Sequence, residues 1–402
     1  VNRQDAASRI VIVGANFGFP NGAGAASRVR CYASGLRSAG AKPYVVMVGA
    51  LAPSDIDDGN TQVAGDWHGV PYEYASGAVR GAASFLGRRL QELRALQRLS
   101  RVILTCGDDR PTAVIFYGYV PRWLFTTSLL CSLRGVRLLQ DISEYPYAYV
   151  PPAGPLRAAW RALSLRLALK LPDGVIVITR FLEQSLAPLI RHKAWLLRVP
   201  IMVDAERFDP RTEPTPGLIA YAGHLGHAAE LDDLIVATAL IAHRDPTVRL
   251  EILGGATGRQ REELLADIEE RGLAGRVDLV GPVSADEMPA RLARAAVLVL
   301  ARADGLFSRA GMPTKLGEYL ASGRPVVVTA TGDIPDYLHD GVDSYLVPPG
   351  DVKRLSEAIA RALHDPLAPA VGSAGRQLAL RAFDPAVQMA QVLEKLSHTE
   401  RP

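Results

Sequence analysis

The sequence predicts an α/β protein of two doubly wound, parallel-sheet (Rossmann-like) domains. Three observations carry that expectation. Short apolar runs alternate with longer helical patterns along the whole chain. The 402 residues, 48% of them hydrophobic, are too many for one ordinary core and suit two. The alternation lapses at Val199–Gly217, where Pro200, Pro210, Pro214 and Pro216 crowd together; prolines without periodicity read as a linker. The expected domains are residues 1–198 and 199–384, with 199–217 as the linker and 385–402 as a closing helical segment.

In the first half, Ile10–Val13, Tyr44–Val48, Val114–Phe116, Arg137–Gln140 and Gly174–Ile178 read as buried parallel strands. Helical stretches at Ser27–Ala39, Val79–Arg101 and Leu156–Leu171 separate them. The second half repeats the design with strands at Leu218–Ala222, Arg249–Leu253, Val277–Leu279, Val297–Leu300 and Pro325–Val328. Two open sheets of this kind predict a central cleft at the carboxyl ends of their strands, where ligands bind by the switch-point rule.

Composition narrows the classes. Charged residues make up 22%, which argues against disorder. Cys31, Cys106 and Cys131 lack CxxC spacing and read as reduced thiols, in keeping with a cytoplasmic location. No apolar run reaches the ~18 residues of a membrane-spanning helix, and Val1–Arg9 does not resemble a signal peptide. Residues 1–198 hold 24 Lys+Arg against 13 Asp+Glu, whereas the rest of the chain is net acidic. Such asymmetry predicts that one domain meets an anionic surface. Within Val79–Arg101, Phe85, Leu86, Leu90 and Leu93 share one helical side, and Arg80, Arg88, Arg94, Arg98 and Arg101 lie largely on the other. This suits docking on the inner face of an anionic membrane; a helix packing on its own sheet gives the same pattern. Nucleic acid is not an expected partner.

The stretch from Gly311 to Leu320 follows an apolar strand and a polar loop. Pro313 suits the first turn of a helix, and Leu316 and Leu320 can pack inward. The free N–H groups of such a helix start attract anions, here a diphosphate, and Lys315 adds a full positive charge. Glu318, one turn on, can accept bonds from ribose hydroxyls. Asp55-Ile56-Asp57 mimics a metal-binding DxD but sits in a polar loop without a histidine beside it, and no metal and no cofactor are expected.

Gly311–Val328 (GMPTKLGEYLASGRPVVV) resembles the donor-site signature of glycosyltransferase family 4, in a subgroup with a PTKLGEYLA-type motif. Val199–Phe208, Tyr221–Ala237, Gly341–Gly350 and Phe19–Leu36 resemble further segments of that family in the same order. The resemblance covers nearly the whole chain. It implies a GT-B fold, the nucleotide on the C-terminal domain, the acceptor on the N-terminal domain, and a final helix near Pro385–Ser397 packing back on the first domain. The implied donor-binding residues are Gly22, Gly24, Gly223, Gly311, Met312, Thr314, Lys315 and Glu318. The implied catalytic residues are Lys315, Glu144 and His224, with Glu144 in the polar Asp141–Pro146 motif after a strand; a plain turn accounts for that motif equally well. The chain departs from the family where Ala310 replaces an expected glutamate, His224 an arginine, and Ala229 or Glu230 a lysine.

A rival dinucleotide fingerprint, Gly22-x-Gly24-x-x-Ser27, begins nine residues beyond Val13 instead of at the strand end, and no acidic residue closes the second strand. The resemblance implies transfer of a sugar from a nucleotide diphosphate to a hydroxyl of a saccharide or lipid-linked acceptor, with retained configuration, as in bacterial-type polysaccharide or glycolipid assembly. The alternatives are a nucleotide-sugar epimerase of the same fold and a non-catalytic nucleotide- or lipid-binding member.

Overall fold

A computed structural model describes residues 8–22, 24–51, 59–146, 154–223, 228–255 and 257–398. The chain divides into two compact units, residues 1–200 with 385–402, and residues 201–384.

The first unit runs β1 (Arg9–Gly14), α1 (Gly24–Ser38), β2 (Lys42–Met47), β3 (Ala64–Trp67), β4 (Val70–Tyr74), α2 (Phe85–Leu104), β5 (Ala113–Tyr117), α3 (Pro121–Arg134), β6 (Arg137–Ile142), α4 (Pro155–Ala168), β7 (Gly174–Val177), α5 (Arg180–Leu186) and β8 (Trp195–Arg198). Its sheet has the order β3-β4-β2-β1-β5-β6-β7-β8. All neighbours are parallel except the β3–β4 hairpin. The central strands are apolar on both faces because helices cover both. Val11, Val13, Val114, Phe116 and Leu138 line one face and meet Ala95 and Leu99 of α2, Leu124 and Leu130 of α3, and Ala168 of α4 in one cluster.

The second unit runs β9 (Leu218–Ala222), α6 (Ala228–Ala242), β10 (Arg249–Leu253), α7 (Gly258–Glu270), β11 (Val277–Gly281), α8 (Met288–Ala293), β12 (Val297–Leu300), α9 (Leu306–Ala310), α10 (Thr314–Ala321), β13 (Val326–Thr329), α11 (Ile334–Tyr337), β14 (Tyr345–Val347), α12 (Val352–His364) and α13 (Ala368–Ala382). Its all-parallel sheet has the order β11-β10-β9-β12-β13-β14, so strand order reverses between β9 and β12. The last helix, α14 (Pro385–His398), belongs to the first unit and packs on α1. The approach is close: a Cβ on Gly35 would lie 2.2 Å from the Pro385 carbonyl oxygen.

Two local expectations change. Residues 201–217 are built into the second unit instead of running as a free linker. Ile201, Met202, Val203 and Phe208 are buried. The Val203 N–H donates to the Phe383 carbonyl (2.9 Å), and Arg324 and Arg376 donate to the carbonyls of Thr212 and Ala205. Proline removes a donor and fixes φ, but it leaves carbonyls and neighbouring side chains free to pack. The helix expected from Val79 begins at Phe85, because Ser84 caps it by accepting from the Gly87 N–H at 3.0 Å.

Candidate donor site

In the second unit, the carboxyl ends of β9 and β12, helix α10 and the Gly311 segment that leads into it come together at the strand-order reversal. Tyr319, fully buried on α10, makes the link. Its hydroxyl accepts from the Ala222 N–H at the end of β9, 2.5 Å away. Gly223 follows at once, and a Cβ there would strike the Tyr221 ring, its hydroxyl oxygen 2.4 Å away. The backbone at this strand end therefore passes where no side chain fits.

The start of α10 is open. Pro313 takes the cap position, one residue before the first turn where the sequence placed it, and no described side chain caps the helix. Its leading N–H groups thus present positive potential outward. Thr314 and Lys315 form the first turn, Gly311 and buried Met312 the approach to it. Lys315 does not stand as an isolated charge. Its Nζ lies 3.1 Å from Glu318 Oε2, with side chains 32% and 18% exposed. The (i, i+3) spacing puts both groups on one helix face. Beyond the helix, Gly323 adopts φ +75°, the left-handed conformation that stops α10 before β13.

Sequence reasoning passed over Arg302. It lies just past β12, and its backbone is clamped to Thr329 at the end of β13: its N–H donates to Thr329 Oγ1 (2.8 Å), whose hydroxyl donates to the Arg302 carbonyl (2.9 Å). The buried guanidinium donates to the Gly311 carbonyl (3.3 Å), approaches Glu230 Oε1 (3.9 Å) and lies 4.8 Å from the Phe307 ring centroid. Glu230, at the first turn of α6, also accepts from the Tyr221 hydroxyl (3.4 Å). Burial and this carboxylate raise the Tyr221 pKa and keep the phenol protonated. A cation thus stands beside Glu230. The available signal was position alone, an arginine two residues past a fully buried strand. His224 lies outside the described residues, as do Asp55 and Asp57.

In the first unit, Gly22 takes φ +145° between β1 and α1, where a Cβ would sit 3.0 Å from that of Ala26. Gly24 opens α1. The loop is pinned by Asn60, whose side chain accepts from the Asn21 N–H (3.1 Å) and donates to its carbonyl (2.8 Å). Tyr74 binds the Phe19 backbone in the same two-way fashion. Neither pin had a local sequence signal.

Asp141, expected just after the strand in one motif with Glu144, instead lies within β6 and is fully buried. Arg28 of α1 donates to it through Nε (3.0 Å) and Nη2 (2.9 Å), and to the carbonyls of Pro200 (2.7 Å) and Val199 (3.1 Å). Tyr32 and Ser143 hydroxyls also donate to Asp141. Burial opposes the charge on Arg28, but the adjoining carboxylate outweighs it and holds the guanidinium pKa above its ordinary value. Glu144 lies beyond the strand. Its side chain is exposed, yet enough protein surrounds the carboxyl that lost solvation raises its pKa.

Two doubly wound sheets, with an open helix start at the reversal of the second, define the GT-B class of fold. Solved structures of that class match along the chain. Sucrose-phosphate synthase from Thermosynechococcus elongatus superposes with a TM-score of 0.71 over 98% of this chain and 100% of its own, at 19% identity. HepE of Anabaena, solved in complex with UDP, superposes with a TM-score of 0.68 over 97% and 99%, at 16% identity. These establish the fold. Residues 216–365, which hold the candidate site, match the family Glycosyl transferases group 1. An exopolysaccharide phosphotransferase of Streptomyces coelicolor is 33% identical over 48% of this chain and 20% of its own length. A GDP-mannose-dependent alpha-(1-6)-phosphatidylinositol monomannoside mannosyltransferase of Mycolicibacterium smegmatis is 30% identical over 56% and 62%. The chain thus spans from a fifth to about three fifths of these curated relatives.

Proposed function

We propose that this protein is a retaining, metal-independent glycosyltransferase of the family 4 type. In this reading it moves a hexosyl group from a nucleotide diphosphate sugar to a hydroxyl of a saccharide or lipid-linked acceptor. It works in polysaccharide or glycolipid assembly, at the inner face of a membrane. The observation that carries the reading is the uncapped start of α10, with Lys315 and Glu318 on one face, at the strand-order reversal of the segment that matches group 1 glycosyltransferases. The mannosyltransferase relative, named for a GDP-mannose donor and a phosphatidylinositol monomannoside, supports it.

The departing diphosphate gains negative charge as the sugar bond breaks. The helix start, Thr314 and Lys315 meet that charge, and the two fields add because the helix dipole points the same way. Glu318 orders Lys315 and accepts from the ribose hydroxyls. Gly223, Gly311 and Met312 line the donor path, Gly22 and Gly24 of the first unit also serve donor binding, and Glu144 orients the acceptor hydroxyl. His224 is the third catalytic candidate of this reading.

The test is product analysis with a panel of UDP- and GDP-activated sugars and hydroxyl acceptors. The expected products are a free nucleoside diphosphate and a glycoside whose anomeric coupling matches the donor. An epimerised donor assigns the protein to the same-fold epimerases, and failure to bind any nucleoside diphosphate overturns the donor site.

A further inference from the structure

We propose that the outward side of the α2–α3–α4 layer is the surface on which this protein docks to an anionic bilayer. The inference rests on the membrane part of the reading above and assigns its physical site.

The three helices cover one face of the first sheet, and α3 packs against both α2 and α4. Their inward residues complete the core. Each also carries a second apolar stripe that the core does not use. On α3, Phe125, Leu129 and Leu133 recur every fourth residue, opposite buried Leu124 and Cys131, and Leu129 is 62% exposed. On α4, Leu156, Trp160, Leu163 and Leu167 follow helical spacing, with Leu156 87% and Trp160 67% exposed. On α2, Phe85, Leu86, Leu90 and Leu93 are exposed, while Ala95, Leu99, Val102 and Ile103 make the core contacts. Helices apolar on both sides need an apolar partner on both.

Charge identifies the partner. The three helices carry ten arginines, no lysine, and one acidic residue, Glu92; of the arginines, Arg98 is held by Glu73 of β4. Glu92 is shared between Arg89 and Arg122. Two copies of this face would oppose their arginines across an interface, which disfavours self-association. A bilayer with anionic headgroups answers both features: acyl chains accept Leu, Phe and Trp, and phosphates accept the guanidiniums. Trp160, amphipathic and projecting, suits the headgroup boundary.

The experiment uses the full chain with phosphatidylcholine vesicles, with and without phosphatidylglycerol. The expected result is co-flotation with anionic vesicles that weakens as salt rises, with a blue shift in tryptophan emission that Trp160→Phe removes without loss of binding. Leu156→Ser with Trp160→Ser lowers the partition coefficient by about tenfold or more. Arg157→Ala and Arg166→Ala each lower it roughly fivefold. If a serine variant melts early, Leu129→Ser with Leu133→Ser on α3 takes its place. Failure to float, equal binding to neutral vesicles, or full binding by the folded serine variants overturns the proposal. So does a dimer in sedimentation that the serine variants abolish, which hands the surface to a second copy. UDP and GDP binding is measured on the same samples: its loss refutes the donor site alone, and its retention in a non-floating protein refutes the docking face alone.

Discussion

Each unit holds a pair of opposite charges, and the two pairs differ in how much of them water reaches. Arg28 and Asp141 have side chains 2% and 0% exposed, and the guanidinium donates to a carboxylate and two carbonyls. Lys315 and Glu318 are 32% and 18% exposed, share one contact, and stand at a helix start that no described side chain caps. The first pair has spent its hydrogen-bonding capacity on the protein. The second retains donors and acceptors that a ligand can use. The contrast separates charges that hold a fold from charges available for chemistry, and substitution can break it or sharpen it.

The largest effect is expected at the closed pair. Arg28→Met leaves the Asp141 carboxylate buried without its cation, a loss of about 3–5 kcal/mol of stability in urea unfolding. Arg28→Lys restores only part, since one ammonium cannot reproduce the planar fork. A stability close to wild type in Arg28→Met would erase the distinction between the pairs.

Lys315→Ala comes next. Turnover falls on the order of a hundredfold or more, while unfolding free energy moves by less than about 1 kcal/mol, as for partly exposed pairs. Single-turnover kinetics and urea unfolding on one preparation check both halves. A large stability loss with turnover intact makes Lys315 structural.

Glu318→Ala weakens binding of UDP or GDP, whichever the wild type prefers, by about 1–3 kcal/mol in calorimetry. Unchanged affinity removes the ribose contact and leaves Glu318 only its bond to Lys315.

The smallest effect is one of pH. Lost solvation raises the Glu144 pKa above the ordinary carboxylate range. If its carboxylate orients the acceptor, turnover falls as pH drops through that raised value, and Glu144→Gln flattens the acid limb. Stability runs the other way. The folded state holds this proton more tightly than the unfolded chain, so the contribution is full below the unfolded pKa and is lost as pH rises through the folded one. Glu144→Gln removes that slope as well.

Much of the fold was legible in the residues. Leu218–Ala222, Arg249–Leu253 and Val297–Leu300 form strands with the bounds the sequence suggests, because short apolar runs closed by turn residues have few other uses. Ala64–Trp67 and Val70–Tyr74 gave no strand signal: β3 is a polar edge strand, and Pro71 and Glu73 interrupt the apolar run of β4. Trp195–Arg198 is half-buried and mixed in character, and Tyr345–Val347 is only three residues long. The residues of the α10 start were legible as a helix start because they are contiguous and follow one strand. Arg302, Asn60 and Tyr74 were not, since each acts on a segment far from it in sequence, Arg302 on Thr329 and Glu230, Asn60 on Asn21 and Tyr74 on Phe19.

By itself, then, the sequence determined the α/β alternation, the residues of the α10 start, and the apolar and basic repeats of α2, all set by local periodicity and backbone chemistry. The tertiary structure decided which of these groups became available. Arg28 and Asp141 are 113 positions apart and meet only in the fold, where the side chains of Arg28 and Tyr32 on α1 both reach Asp141 of β6. The stripes of α3 and α4 have the same period whether they face the core or water. Only the packing of three helices on one sheet face, which consumes one side of each, leaves Leu129, Leu156 and Trp160 outside. A helical repeat specifies that a face exists; which neighbour it meets is settled by the competition among all faces for one limited core.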